Sequence, residues 1–101
     1  MRVENIVSNN GNNIANQFII RGDGVITFQS YQSEIITLDL ELKIIFVGDD
    51  YDYSVTTGKY RNIFFRDYAP YELRDLQNIN TLRKAIKEEK FGLWQVVRKS
   101  L

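Results

Sequence analysis

Cysteine and histidine are both absent from this chain, and proline and tryptophan each occur once. Without cysteine there is no disulfide, no thiolate nucleophile and no sulfur-ligated metal. Without histidine the commonest general base and metal ligand is missing, so catalysis would have to rest on Asp, Glu, Lys or Tyr alone. No apolar run reaches the length of a signal-peptide core or of a membrane-spanning helix, and the chain opens on Met1-Arg2-Val3-Glu4-Asn5; the expectation is a cytoplasmic protein. A surplus of one charge is also lacking. Thirteen basic residues face thirteen acidic ones, so no global field steers the protein toward nucleic acid or an anionic membrane.

What is present is the composition of an ordered globule, 44% hydrophobic and 13% aromatic over 101 residues. That length predicts one domain, residues 1–101, with a single core. Arg2–Val7 reads as a first short strand, stopped by the Asn- and Gly-rich run Ser8–Asn13. Ala15–Arg21 and Gly24–Tyr31 are β-branched and aromatic, and Gly22-Asp23 between them suits a tight hairpin turn. From Glu34 to Val47 a period-two pattern places Ile36, Leu38, Leu40, Leu42, Ile44 and Phe46 on one side. The segment exceeds the usual strand length of about five or six residues, which predicts strands near 34–38 and 42–47 with a reversal at Asp39-Leu40-Glu41.

The densest stretch is Asp49–Tyr68, DDYDYSVTTGKYRNIFFRDY. Ser54, Thr56 and Thr57 carry hydroxyls able to accept from free N–H groups of a first helical turn, so a helix is expected from there. Tyr60 and Phe64 then share a core-facing side, and Lys59, Arg61 and Arg66 point to water. Pro70 suits a first helical position. Asn80 or Thr81 is expected to cap a second helix, with Ile79 as its hydrophobic staple; Leu82, Ala85 and Ile86 face inward and Arg83, Lys84 and Lys87 outward. A last strand, Leu93–Arg98, has Trp94 and Val96 on one side. Strands first, helices next and one late strand predict an α+β fold: a mostly antiparallel sheet of five or six strands packed on one face by two or three short helices, without parallel βαβ units.

Candidate chemistry is sparse. Asp49, Asp50 and Asp52 form the best hard-cation candidate, because carboxylates suit Mg²⁺ and Ca²⁺, but the glycine and distal Glu of a calcium loop are missing and a solvated turn explains the cluster. Ser54 has no base to take its proton, so it reads as a cap. Gln17, Gln29 and Gln32 with Asn12, Asn13 and Asn16 concentrate amides around the hairpin, either reading a partner or simply solvated. Aromatic and basic residues interleave at Lys59–Arg66. With Lys59, Arg61, Arg66, Arg83, Lys84 and Lys87 converging on one surface, they would clamp a nucleic acid; the balanced total charge favours rings in the core and charges in water.

Several blocks together carry a resemblance: Asn10-Gly11-Asn12, Ala15–Ile20 (ANQFII), Phe28–Tyr31 (FQSY), Tyr51–Ser54 (YDYS) and Thr56–Asn62 (TTGKYRN) with Phe64. In order and spacing, over about residues 8–65, the chain resembles an uncharacterised family of small proteins from bacteriophages and bacterial mobile elements. The resemblance implies such an origin, a turn at Asp39-Leu40-Glu41, and no chemistry. Tyr51 stands where the family pattern has tryptophan, and the segment after Pro70 is longer than the pattern's ending. Together these readings predict a protein-binding module acting on a host or phage protein, such as an inhibitor of a host defence system, rather than an enzyme. No metal or cofactor is called for, and a nucleic-acid-binding accessory protein is the alternative.

Overall fold

In a computed structural model that describes residues 1–99, the first half of the chain is a run of antiparallel strands. These are β1 (Arg2–Val7), β2 (Asn13–Gly22), β3 (Val25–Ser30), β4 (Ser33–Asp39) and β5 (Ile44–Gly48). The helical half follows: α1 (Val55–Ile63), a π-helical turn (Phe64–Tyr68), a 3₁₀ segment (Tyr71–Gln77) and α2 (Ile79–Glu88). Two strands close the fold, β6 (Lys90–Phe91) and β7 (Trp94–Lys99). Ser100 and Leu101, the end of the expected domain 1–101, lie outside the described residues.

The seven strands form one sheet in the order β1-β2-β3-β4-β5-β7-β6. Every pairing is antiparallel except β5 with β7. The α+β fold is as expected, with two differences. The two-residue β6 adds a strand too short to show a sequence period, and the helical half serves as a crossover that returns β7 parallel to β5.

Turn chemistry explains the reversals. The β2–β3 turn is centred on Asp23-Gly24, one residue later than expected, and both residues have positive φ (50° and 75°), as a primed hairpin turn requires. The β4–β5 reversal was expected at Asp39-Leu40-Glu41 despite its poor turn chemistry. There the Asp39 carboxylate accepts from the amides of Glu41 and Leu42 at 3.1 and 2.9 Å, and Lys43 takes φ 55°.

That reversal also changes the parity of β5. Ile45 and Val47 are fully buried on the helix side with Ile36 and Leu38, whereas Ile44 and Phe46 face the other way, contrary to the single-sided period-two reading. A bulge in β4 between its pairings with Phe28 and Gln29 lets the adjacent Ile35 and Ile36 both be buried.

The core lies between the sheet and the helices. Phe28 stacks on Phe64 at 5.9 Å between centroids, and Phe64 meets Phe65 edge-on at 5.5 Å. Phe65 is as buried as Phe64 because the chain widens into the π turn just there, where the Ala69 amide donates to the Phe64 carbonyl at 2.9 Å, an i→i+5 bond. Leu73 and Leu76 of the 3₁₀ segment and Leu82 and Ala85 of α2 complete the layer. The cap of α2 is Asn78, not Asn80 or Thr81: its Oδ1 accepts from the amides of Asn80 and Thr81 at 2.9 and 3.4 Å, and Ile79 is the first helical residue. Among the described residues no helix is long and apolar enough to cross a membrane.

Candidate functional site

The loop and helix at 49–63 build the most structured surface feature. Ser54 caps α1, its Oγ accepting from the Thr57 amide at 3.1 Å, and the Ser54 hydroxyl donates to Thr57 Oγ1 at 3.2 Å. Thr57 also reaches Ser30 of β3, hydroxyl to hydroxyl at 3.4 Å, which docks the helix on the sheet.

One turn on, Arg61 corrects the sequence reading. It was expected on the wet side of α1, yet it is only 2% exposed. Its guanidinium donates from Nη1 to the Tyr51 carbonyl and from Nη2 to Asn62 Oδ1 at 3.1 Å. A Cβ at Gly58 would lie 3.5 Å from Nη2. That is an ordinary van der Waals distance, so the guanidinium does not require glycine there, and Gly58 only weakens the helix locally.

Asp52 is the electrostatic hub of this loop. Its Oδ2 accepts from Arg83 Nη2 of α2 at 2.6 Å, and its Oδ1 lies 3.6 Å from Arg61 Nη1. Those contacts, the Arg83 hydrogen bond foremost, hold its carboxyl below the usual carboxylate range. Burial works the other way on Arg61, and desolvation lowers its pKa against the pull of Asp52.

The remaining acidic candidates are drawn to separate partners. Asp50 accepts from Ser33 Oγ at 2.9 Å and Asp49 from Arg98 Nη2 at 3.1 Å. Among the described residues no three acidic side chains converge as a metal cage would need.

Of the six basic candidates, Lys59, Arg61, Arg66 and Arg83 line one open hollow of about 930 Å³ between α1 and α2, together with Asn9, Asp52, Ser54, Val55, Asn62, Ile63 and Ile79. Lys84 lines a different hollow beside β6, and Lys87 lines neither. Half of the converging charge is already answered. Arg66 chelates Asp67 through two bonds of 2.8 and 2.7 Å, which holds that carboxyl below its usual range, and Arg83 is held by Asp52. Lys59 Nζ rests over the Tyr60 ring, 5.3 Å from its centroid.

The opposite side of the sheet holds a surface that sequence reasoning missed. The registers place Val3, Ile20, Thr27, Thr37, Phe46 and Val97 in one row across β1-β2-β3-β4-β5-β7, on the side away from the helices. Val3 is 58% exposed, and Ile20, Phe46 and Val97 are half-buried. The Thr27 and Thr37 hydroxyls bond each other at 3.2 Å, so the row presents methyls and rings where a water-facing sheet side is normally polar. The unbroken apolar runs Phe18–Ile20 in β2 and Ile44–Val47 in β5 were the available signal, since consecutive strand residues point to opposite sides. The amides behave differently from expectation as well: Gln17 is buried at 1% exposure, and Gln29 donates to the Tyr31 carbonyl at 2.8 Å.

No curated protein matches this chain, and no solved structure matches it. A family model does, over residues 1–88, which takes in the whole sheet as far as β5, both helices and all the residues lining the hollow. The chain therefore belongs to the family of unknown function DUF8033.

Proposed function

We propose that this protein is a small accessory protein of a phage or bacterial mobile element that works in the host cytoplasm by binding a host or phage protein, for example as an inhibitor of a host defence system. The observation that carries the reading is the row Val3, Ile20, Thr37, Phe46 and Val97 on the sheet side away from the helices, exposed at Val3 and half-buried beyond it, with Thr27 buried within it. Apolar side chains on a sheet side that no helix packs against offer a partner a surface to cover. The absence of His and Cys and the resemblance over residues 8–65 support binding over catalysis.

The alternative, nucleic-acid binding through Lys59, Arg61, Arg66, Arg83, Lys84 and Lys87, has less support. Arg61 is buried, Arg66 and Arg83 are paired with Asp67 and Asp52, and Lys84 lines a separate hollow.

Affinity capture from bacterial host lysate with the wild-type chain and with Phe46→Glu tests the reading. A partner retained by the wild type and lost with Phe46→Glu is expected. Turnover of a substrate that disappears in Asp49→Asn or Asp52→Asn, with no partner recovered, would overturn it. Tight oligonucleotide binding that falls steeply with salt would favour the alternative, because phosphate contacts release counterions.

A further inference from the structure

The hollow between α1 and α2 has a charge imbalance that its internal pairs do not remove. One carboxylate, Asp52, serves both Arg61 and Arg83, so this triad carries a net positive charge. Lys59, Arg61, Arg66 and Arg83 line the hollow; Asp52 answers one of these four and Asp67 another, which leaves two. Arg61 Nε is buried and has no hydrogen-bond partner among the described residues, an unusual state for a buried donor. Both helices also begin at the hollow, α1 at Ser54-Val55 and α2 at Ile79. Neither has an acidic residue in its first turn, so the positive ends of their dipoles add to the local field. Apolar surface lies among these charges: Val55 is 91% exposed, and Ile63 and Ile79 line the same wall.

We propose that this hollow docks an acidic, amphipathic segment of a protein partner, with carboxylates set against Lys59 and the exposed Arg83, whose partner Asp52 is shared with the buried Arg61, and an aliphatic side chain on Val55 and Ile79. The proposal rests on the protein-binding reading above and adds a second contact surface on the helical side. Carboxylates fit better than a phosphate backbone for two reasons. The surplus is local and small, whereas a nucleic acid presents a regular charge track. The exposed Val55 calls for an apolar complement.

Titration of the ¹⁵N-labelled chain with a synthetic Glu- and Leu-rich amphipathic peptide, followed by amide NMR, tests the site. The amides of Val55–Asn62 and Ile79–Arg83 are expected to shift. The same peptide with Gln for Glu should bind roughly tenfold more weakly, the scale of about 1.4 kcal/mol, and Lys59→Glu should weaken the Glu peptide similarly without moving the melting temperature. Equal binding of the two peptides, shifts confined to the open sheet face, or tighter binding of oligo-dT than of the Glu peptide at the same residues would each overturn the proposal. Lysate capture is a separate measurement: loss of capture by Phe46→Glu with no effect of Lys59→Glu keeps the protein-binding reading and sinks this site, whereas peptide binding in the hollow supports the site when capture finds nothing.

Discussion

Arg83 on α2 reaches back 31 positions to Asp52 and meets its carboxylate at 2.6 Å. The contact fastens the loop before α1 to the second helix, and the same carboxylate faces the buried Arg61. The two helices are thus tied together through one acidic side chain.

The first prediction concerns acid. Asp52 is held below its ordinary value of 3.8 by the Arg83 hydrogen bond and by the charges of Arg83 and Arg61, with desolvation opposing. The folded state therefore binds its proton less readily than the unfolded chain. The resulting stability is fully present above the unfolded pKa near 3.8 and is lost as pH falls through the lower folded value. Asp52→Asn should lower the urea midpoint at about pH 7, and the loss should shrink progressively as pH is taken below 3.8. A loss that does not diminish as pH falls below 3.8 would contradict the linkage.

Arg61 gives a reversal of the sequence expectation. As a residue on the wet side of the helix its removal would cost within about 0.5 kcal/mol. Buried, with the Tyr51 carbonyl and Asn62 as acceptors, Arg61→Ala should cost about 1–3 kcal/mol by stranding those groups. Lys59→Ala, at an exposed position, should stay within about 0.5 kcal/mol. Chemical denaturation of the two variants decides the matter.

Phe64 is fully buried between Phe28 and Phe65. Phe64→Ala should cost about 3–5 kcal/mol through lost transfer energy and a cavity. An unchanged thermal midpoint would mean that the ring is not in the core.

Gly48 ends β5 where a Cβ would sit 2.2 Å from the Glu34 carbonyl oxygen. That neighbour is backbone and cannot swing aside, so Gly48→Ala should destabilise by more than about 1 kcal/mol. The far end of α2 has the opposite need. Glu89 caps it at φ 59°, a conformation that disfavours side chains, and Glu89→Gly should raise the melting point, with a gain of up to about 1 kcal/mol.

Local chemistry made much of this molecule legible in advance. Ser54 caps a helix because its hydroxyl meets a free amide three residues away, and the Gly22-Asp23-Gly24 run marks a hairpin, although the turn falls on Asp23-Gly24 and not on Gly22-Asp23. Cysteine and histidine chemistry was excluded by composition alone. Neighbours distant in the chain decided the rest. Arg61 looks like any exposed helical arginine until the Tyr51 carbonyl and Asp52 fold over it, and no helical period encodes that. Ile44 and Phe46 continue the alternation of Ile36 and Leu38 on paper, but the Asp39-capped reversal shifts the parity and leaves them on the uncovered side of the sheet. The row from Val3 to Val97 exists only through strand register, and the charge surplus of the hollow exists only because Asp52 is shared by Arg61 and Arg83. Short-range hydrogen bonding is written in neighbouring residues, whereas the sharing of a partner and the facing of a strand depend on contacts that the chain makes only once it is folded.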